Sequence, residues 1–209
     1  MASIELDRAQ AAEVELMLNG IRNGAARAIN AALNKAAEQS QTKAVKHIYD
    51  ELALTKPAIK AQTKVTKSDF TKLQSKLEVS GKPLYIVDDS ISTHKRIGEH
   101  FYKASLLKLG KGVSVTVRKS KGVERLHWAF KATMKSGHTM LFQRDLRDPK
   151  RVAKANVWGS SVLPIEQLLG PGVASVFEHH GYTETHNEGG ELVQRLLDHE
   201  VDRILDRFG

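Results

Sequence analysis

The chain has 209 residues, 41% of them hydrophobic and 27% charged, which is the balance of a soluble, core-forming protein rather than a disordered one. It has no cysteine, which excludes disulfide scaffolds, zinc fingers, iron–sulfur clusters and thiol nucleophiles, and suits the cytoplasm. No apolar run reaches membrane-span length, and the polar, acidic first seven residues hold no h-region, so no secretory leader is expected.

The formal net charge is +8, unevenly spread. Residues 1–52 carry net −1, residues 53–160 carry +15, and residues 161–209 carry −6. A basic block of this kind meets nucleic-acid phosphates or an acidic protein surface, such as the acidic stretch of a neighbouring copy. The plainer alternative is a solvated lysine-rich surface.

Taken in chain order, residues 8–52 read as helix. Val14, Met17, Leu18, Ile21, Ala25, Ala28, Ile29, Ala32, Leu33, Ala36, Val45, Ile48 and Leu52 recur at steps of three and four. Alanine dominates 25–37, giving strong helix propensity and a face that another element approaches closely. Asn19-Gly20 and Asn23-Gly24 predict a break or kink. Thr55 reads as an N-cap with Pro57 in the first turn of a short helix through 58–62. Lys56, Lys60 and Lys64 would line one side of that helix if it runs far enough, with Lys67 beyond.

From Leu73 the period changes to two, predicting a strand over 73–79 stopped by Gly81-Lys82-Pro83. A short apolar run follows at 84–87. Residues 88–103 read as a polar inserted loop, with Asp88 and Asp89 in a turn rather than acting as an acid/base couple. Val113 to Val117 alternate as a strand, and Arg118, Lys119 and Lys121 form a basic turn. Over 126–134, Trp128, Phe130, Ala132 and Met134 fall on one face of a strand, which returns as a hairpin over 138–144. His127 and His138 flank that turn as a cross-strand pair. Residues 145–161 read as a polar loop. Residues 163–172 read as an extended stretch, one helical turn and a Gly-Pro break, with a helix possible over 173–179.

Residues 181–190 read as a loop. The last segment, 191–208, is an amphipathic helix with Val193, Leu197, Val201, Ile204 and Phe208 in one stripe and Leu196 and Leu205 beside it. The order of elements defines an α+β fold: a long N-terminal helix, a central antiparallel sheet and a C-terminal amphipathic helix. The expected organisation is one domain over 1–209, with a helical arm at about 1–52, a basic sheet region at about 53–160 and an acidic helical stretch at about 161–209.

Catalytic motifs are missing. Gly110-Lys111-Gly112 lacks the spacing of a Walker A loop, and there is no GxGxxG, GxSxG or HExxH. His179, His180 and His186 with Glu178, Glu184 and Glu188 match no standard ligand set. The expectation is therefore a non-enzyme with no cofactor and no metal. Lysine outnumbers arginine in the basic block, and no aromatic-interleaved basic stretch is present, which disfavours base-specific DNA reading.

The run SLLKLGKGVSVTVRKSKGVERLHWAFKATMKSGHTMLFQRDL at 105–146 resembles the centre of the phage and prophage minor tail protein Z family. The matching features are the valine-alternating strand, the basic turn, the apolar strand ending in Met134, then Ser136-Gly137-His138 and Phe142 to Arg144. Leu163-Pro164-Ile165, Gly170-Pro171 and the N-terminal ARAINAALNKAAEQSQTKAVKHI extend the resemblance over about 20–178. The loops at 86–103 and 145–161 are longer than the family pattern.

The resemblance implies structural work in a virion: a neck or tail-completion subunit at the head-proximal end of the tail, in a ring of six copies by analogy with tail symmetry. It implies assembly in the host cytoplasm, no membrane, and as partners other copies of the chain, tail-tube, terminator or head-connector proteins, and packaged DNA through non-specific contact. The alternative is a basic, non-specific nucleic-acid-binding protein. Lys56, Lys60, Lys64, Lys67, Arg118, Lys119 and Lys121 are the expected contacts to phosphate or an acidic partner. Trp128, Phe130, Phe142, Leu163, Pro164 and Ile165 are the expected subunit-packing residues, although a core role competes for the three aromatics.

Overall fold

Alanine at Ala28, Ala32, Ala36 and Ala44 removes side-chain bulk from one face of a long helix, and all four positions are fully buried. In the computed structural model that helix is α2, Gly24–Glu51, preceded by α1, Arg8–Met17. The break falls where the Asn-Gly pairs place it, with positive φ at Gly20 and Asn23. The structure describes residues 2–5, 8–88, 101–107, 112–134, 139–144, 165–178 and 182–208, with backbone only for 2–5, 8, 182–188 and 208.

The elements after α2 are α3 (Lys56–Ala61), β2 (Thr63–Thr66), β3 (Gln74–Val79), β4 (Leu84–Asp88), β5 (Phe101–Leu106), β6 (Val113–Val115), a 3-10 turn (Lys119–Lys121), β7 (Glu124–Leu126), β8 (Ala129–Thr133), β9 (Thr139–Arg144), β10 (Ile165–Gln167), β11 (Leu169–Gly170), α4 (Val173–Val176) and α5 (Tyr182–Phe208). Strand β1, Ala2–Glu5, opens the chain. Helices and sheets in this order make the fold α+β, as expected.

The chain forms two compact units. One comprises Met1–Ile48, Ile59–Gly81 and Val173–Gly209; the other comprises Tyr49–Ala58 and Lys82–Gly172. In the first unit α1, α2 and α5 share an apolar core of Val14, Leu18, Ile29, Leu33, Leu197 and Val201 with their neighbours. The predicted stripe of α5 is buried at Val193, Leu197, Val201 and Ile204. The helix begins at Tyr182, however, so 182–190 is helix rather than loop. Gly189 is buried, where the absence of a side chain suits a packed face better than a turn.

The sheet of this unit has the order β1-β3-β2, antiparallel throughout, with Leu77 paired to Ala2 on one side and Val65 on the other. Ser75 on β3 is fully buried, and its hydroxyl donates to the Leu33 carbonyl at 3.2 Å. The Ser68 backbone N–H donates to Asn34 Oδ1 at 2.8 Å, and the Ser68 hydroxyl donates to Asn30 Oδ1. Polar groups that would be costly if buried alone thus tie α2 to the segment between β2 and β3.

The second unit holds a five-stranded sheet, order β11-β4-β5-β6-β7, and a three-stranded sheet, order β10-β9-β8. Pairing is antiparallel except for β4 with β5, where Tyr85 meets Phe101. The predicted hairpin is present, with Thr133 opposite Thr139. Its first strand is shorter than expected: β7 pairs with β6, residues 127 and 128 turn, and only β8 joins β9. Strand β5 begins inside the stretch expected to form a loop, at residues 101–103, and 165–170 form two short strands instead of a helical turn. The Leu168 N–H donates to Leu141 O at 3.0 Å and its carbonyl accepts from Ile86 N at 3.1 Å, so β-pairing there outcompetes a helical turn.

Asp88 is not in a turn. It ends β4, is 4% exposed, and takes the Lys131 ammonium at 3.3 Å. Asp89, His138, the 145–161 loop, Leu163 and Pro164 lie outside the described residues.

Candidate interaction surfaces

The Thr55 hydroxyl accepts the Ala58 N–H at 3.4 Å and caps α3 as the sequence predicts. The helix then stops at Ala61, because the Thr63 hydroxyl donates to the Lys60 carbonyl at 2.9 Å and Thr63 starts β2. Lys64 therefore stands exposed on a strand, and only Lys56 and Lys60 share the helix. The three-lysine helical stripe expected from the sequence is not formed.

In the second unit the structure brings Lys56, Arg118 and Lys119 together at the C-terminal end of α2. The Lys119 ammonium lies 3.4 Å from the centre of the Tyr49 ring, and that of Lys56 lies 5.1 Å from it. Lys119 also donates to the Tyr49 carbonyl, so it caps the negative end of the helix dipole. Arg118 pairs with Glu51 at 3.3 Å, and its backbone bridges Leu52. Lys121, at the end of the 3-10 turn, is exposed and makes no ion pair among the described residues.

In the first unit, Lys67 pairs with Glu38 at 2.7 Å, and both side chains are more than half exposed. The Lys67 hydrogen bond and charge, with Lys60 contributing, hold the Glu38 carboxyl below its ordinary value. An exposed pair of this kind adds little to stability. Lys64 makes no ion pair among the described residues. Thus several predicted phosphate-contact cations already have intramolecular partners. Tyr49, Glu51 and Glu38 carried no signal in the sequence, because their roles arise from the turn of the chain at the end of α2 and from pairing across elements.

Of the packing residues, Phe142 is core, 6% exposed. Phe130 opposes it with ring centres 6.5 Å apart and has the Arg144 guanidinium 5.3 Å from its ring centre, so it is covered from within the unit. Trp128 is different. It sits in the turn between β7 and β8 and is 71% exposed. Ile165 on β10 is 40% exposed.

The acidic C-terminal stretch read from the sequence as a surface for a neighbouring copy falls largely on a helix. On α5, Asp198, Asp202 and Asp206 are exposed at four-residue spacing, and Glu191 falls on the same side. Between α1 and α5 lies a cleft of about 300 Å³. Val14, Met17, Leu197 and Val201 supply its apolar lining, and Glu13, Asp198 and Asp202 its charge.

No group of three or more His, Asp or Glu side chains with metal-binding geometry occurs among the described residues. The candidate ligands His179 and His180 and the side chains of Glu184, His186 and Glu188 lie outside them. No helix among the described residues is long and apolar enough to cross a membrane.

The family model of prophage minor tail protein Z matches residues 10–198. The chain belongs to that family: it is a structural protein of the phage tail and a component of the virion. No curated relative and no solved structure matches it.

Proposed function

We propose that the protein is the neck or tail-completion subunit at the head-proximal end of the tail, acting non-enzymatically as a ring of six copies. The observation that carries this reading is the opposite charge of separate surfaces on one chain. The turn and strand segment 118–131 holds five cations and one anion, while the exposed positions of α5 over 191–207 carry Glu191, Asp198, Asp202 and Asp206 against Arg195, Arg203 and Arg207, with the three aspartates grouped at four-residue spacing. Surfaces that differ in this way suit heterologous, head-to-tail contacts, which close into rings. Tail-tube, terminator or head-connector proteins would bind the faces of that ring.

Contact with packaged DNA is the second reading. Lys64 and Lys121 favour it, being exposed and without ion-pair partners among the described residues. The test compares K64E/K121E with the parent protein for DNA retention in virions and for DNA affinity across a salt series. A DNA-contacting surface predicts affinity that falls steeply with salt, with a slope reduced by roughly one for each phosphate-binding cation removed. A ring subunit without that role retains DNA normally in the variant.

A further inference from the structure

We infer that the Trp128 turn of one copy docks into the cleft between α1 and α5 of the next copy. This deepens the ring reading and rests on it, because it names the two surfaces that a head-to-tail contact would join.

The donor surface is a projecting aromatic with basic neighbours. Trp128 is 71% exposed, Val123 is 67% exposed, and Arg125 and His127 between them are exposed as well. Trp128 and Val123 place two exposed apolar side chains on one short segment, and Trp is among the residue types most enriched in interface anchors. It stands next to an edge strand, β7, which offers its neighbours further backbone pairing groups.

The acceptor surface is the matching opposite. Its apolar lining includes Met17, itself 52% exposed, whose flexible thioether moulds to an inserted ring. Glu13, Asp198 and Asp202 make no ion pairs among the described residues, so their charge is available to an incoming cation. The cleft's volume of about 300 Å³ is at the lower end of the range that holds a small ligand, which suits one large side chain.

Charge complementarity selects the occupant. Phe70 is also exposed, at 62%, but its neighbours Lys67, Asp69 and Lys72 are mixed in charge, Lys67 is paired with Glu38, and the segment brings less net positive charge than 118–131. The segment around Trp128 brings an excess of cations. A second copy of this chain supplies both surfaces in equal number, so each copy gives one contact and receives one.

The absence of native cysteine makes the contact directly testable in the full-length protein. His127→Cys and Gln194→Cys are made in separate chains, mixed, allowed to assemble and oxidised mildly. The expected result is a disulfide-linked dimer in the mixture and none with either variant alone, with W128A weakening self-association about 30-fold while circular dichroism stays unchanged. The same mixture is oxidised in virions carrying both variants. Assembly of the parent protein without a mixed disulfide, or unchanged association in W128A alongside weakened association in F70A, overturns this interface and leaves the ring standing. A single copy per virion, with a monomer in solution, overturns the ring and the interface together.

Discussion

Glu200 is a carboxylate with 1% of its surface exposed, inside the helical unit. Burial alone pushes its carboxyl upward, but hydrogen bonds and charge from Lys35 and Arg203 outweigh that and hold it below the ordinary 4.5. Arg203 Nε donates to Glu200 Oε2 at 2.8 Å, and Lys35 Nζ meets Oε1. Glu200→Gln should cost about 2–3 kcal/mol in urea unfolding at pH 7. A carboxyl with a depressed folded value stabilises the fold above its ordinary value and loses that contribution as pH falls through the depressed one. The difference between parent and variant should therefore be flat from pH 7 to about 5 and shrink below 4.5; a difference that grows on acidification would contradict the assignment. Gly170 makes a second residue-scale case. A β-carbon there would lie 2.6 Å from the Tyr102 ring, whose hydroxyl donates to the Pro171 carbonyl at 2.9 Å. Gly170→Ala should destabilise by about 1–3 kcal/mol, read from the same unfolding curves. The Gly-Pro break was legible in the sequence, whereas its cause, a tyrosine far back along the chain, was not. Glu200 was equally opaque, since Lys35 lies on another helix and the i, i+3 pair with Arg203 alone does not predict burial.

At the scale of elements, a strong period gave correct elements and a weak one did not. Helices α1, α2 and most of α5 follow apolar spacing, and the paired strands β8 and β9 follow alternation. Strands β5, β10 and β11 were missed because each is held by partners distant in sequence: β5 by parallel pairing to β4, β10 by β9, and β11 by β4. Propensity is a weak guide where tertiary pairing supplies the hydrogen bonds. The start of α5 was missed for the opposite reason. Gly181, Gly189 and Gly190 are loop signals locally, and the helix runs through the last two. The α3 cap is a direct test of local chemistry. Thr55→Ala should cost about 1 kcal/mol, and T55S should recover most of it. Equal stability of T55A and parent would place the helix start elsewhere.

For the molecule as a whole, the uneven charge was visible in the sequence, but the candidate site was only partly legible. The basic turn read at Arg118 to Lys121 is present as a 3-10 turn over 119–121, where Arg118 and Lys119 spend part of their charge on Glu51 and the end of α2. The acidic balance of 161–209 was legible, but the aspartates at four-residue spacing on α5 were not singled out, and the cleft beside them was hidden because α1 lies at the opposite end of the chain. Imaging of intact virions with the protein labelled tests the ring account most directly. The account predicts about six copies in a closed ring where the tail meets the head. Copies distributed along the tail, or a single copy at any position, would contradict it.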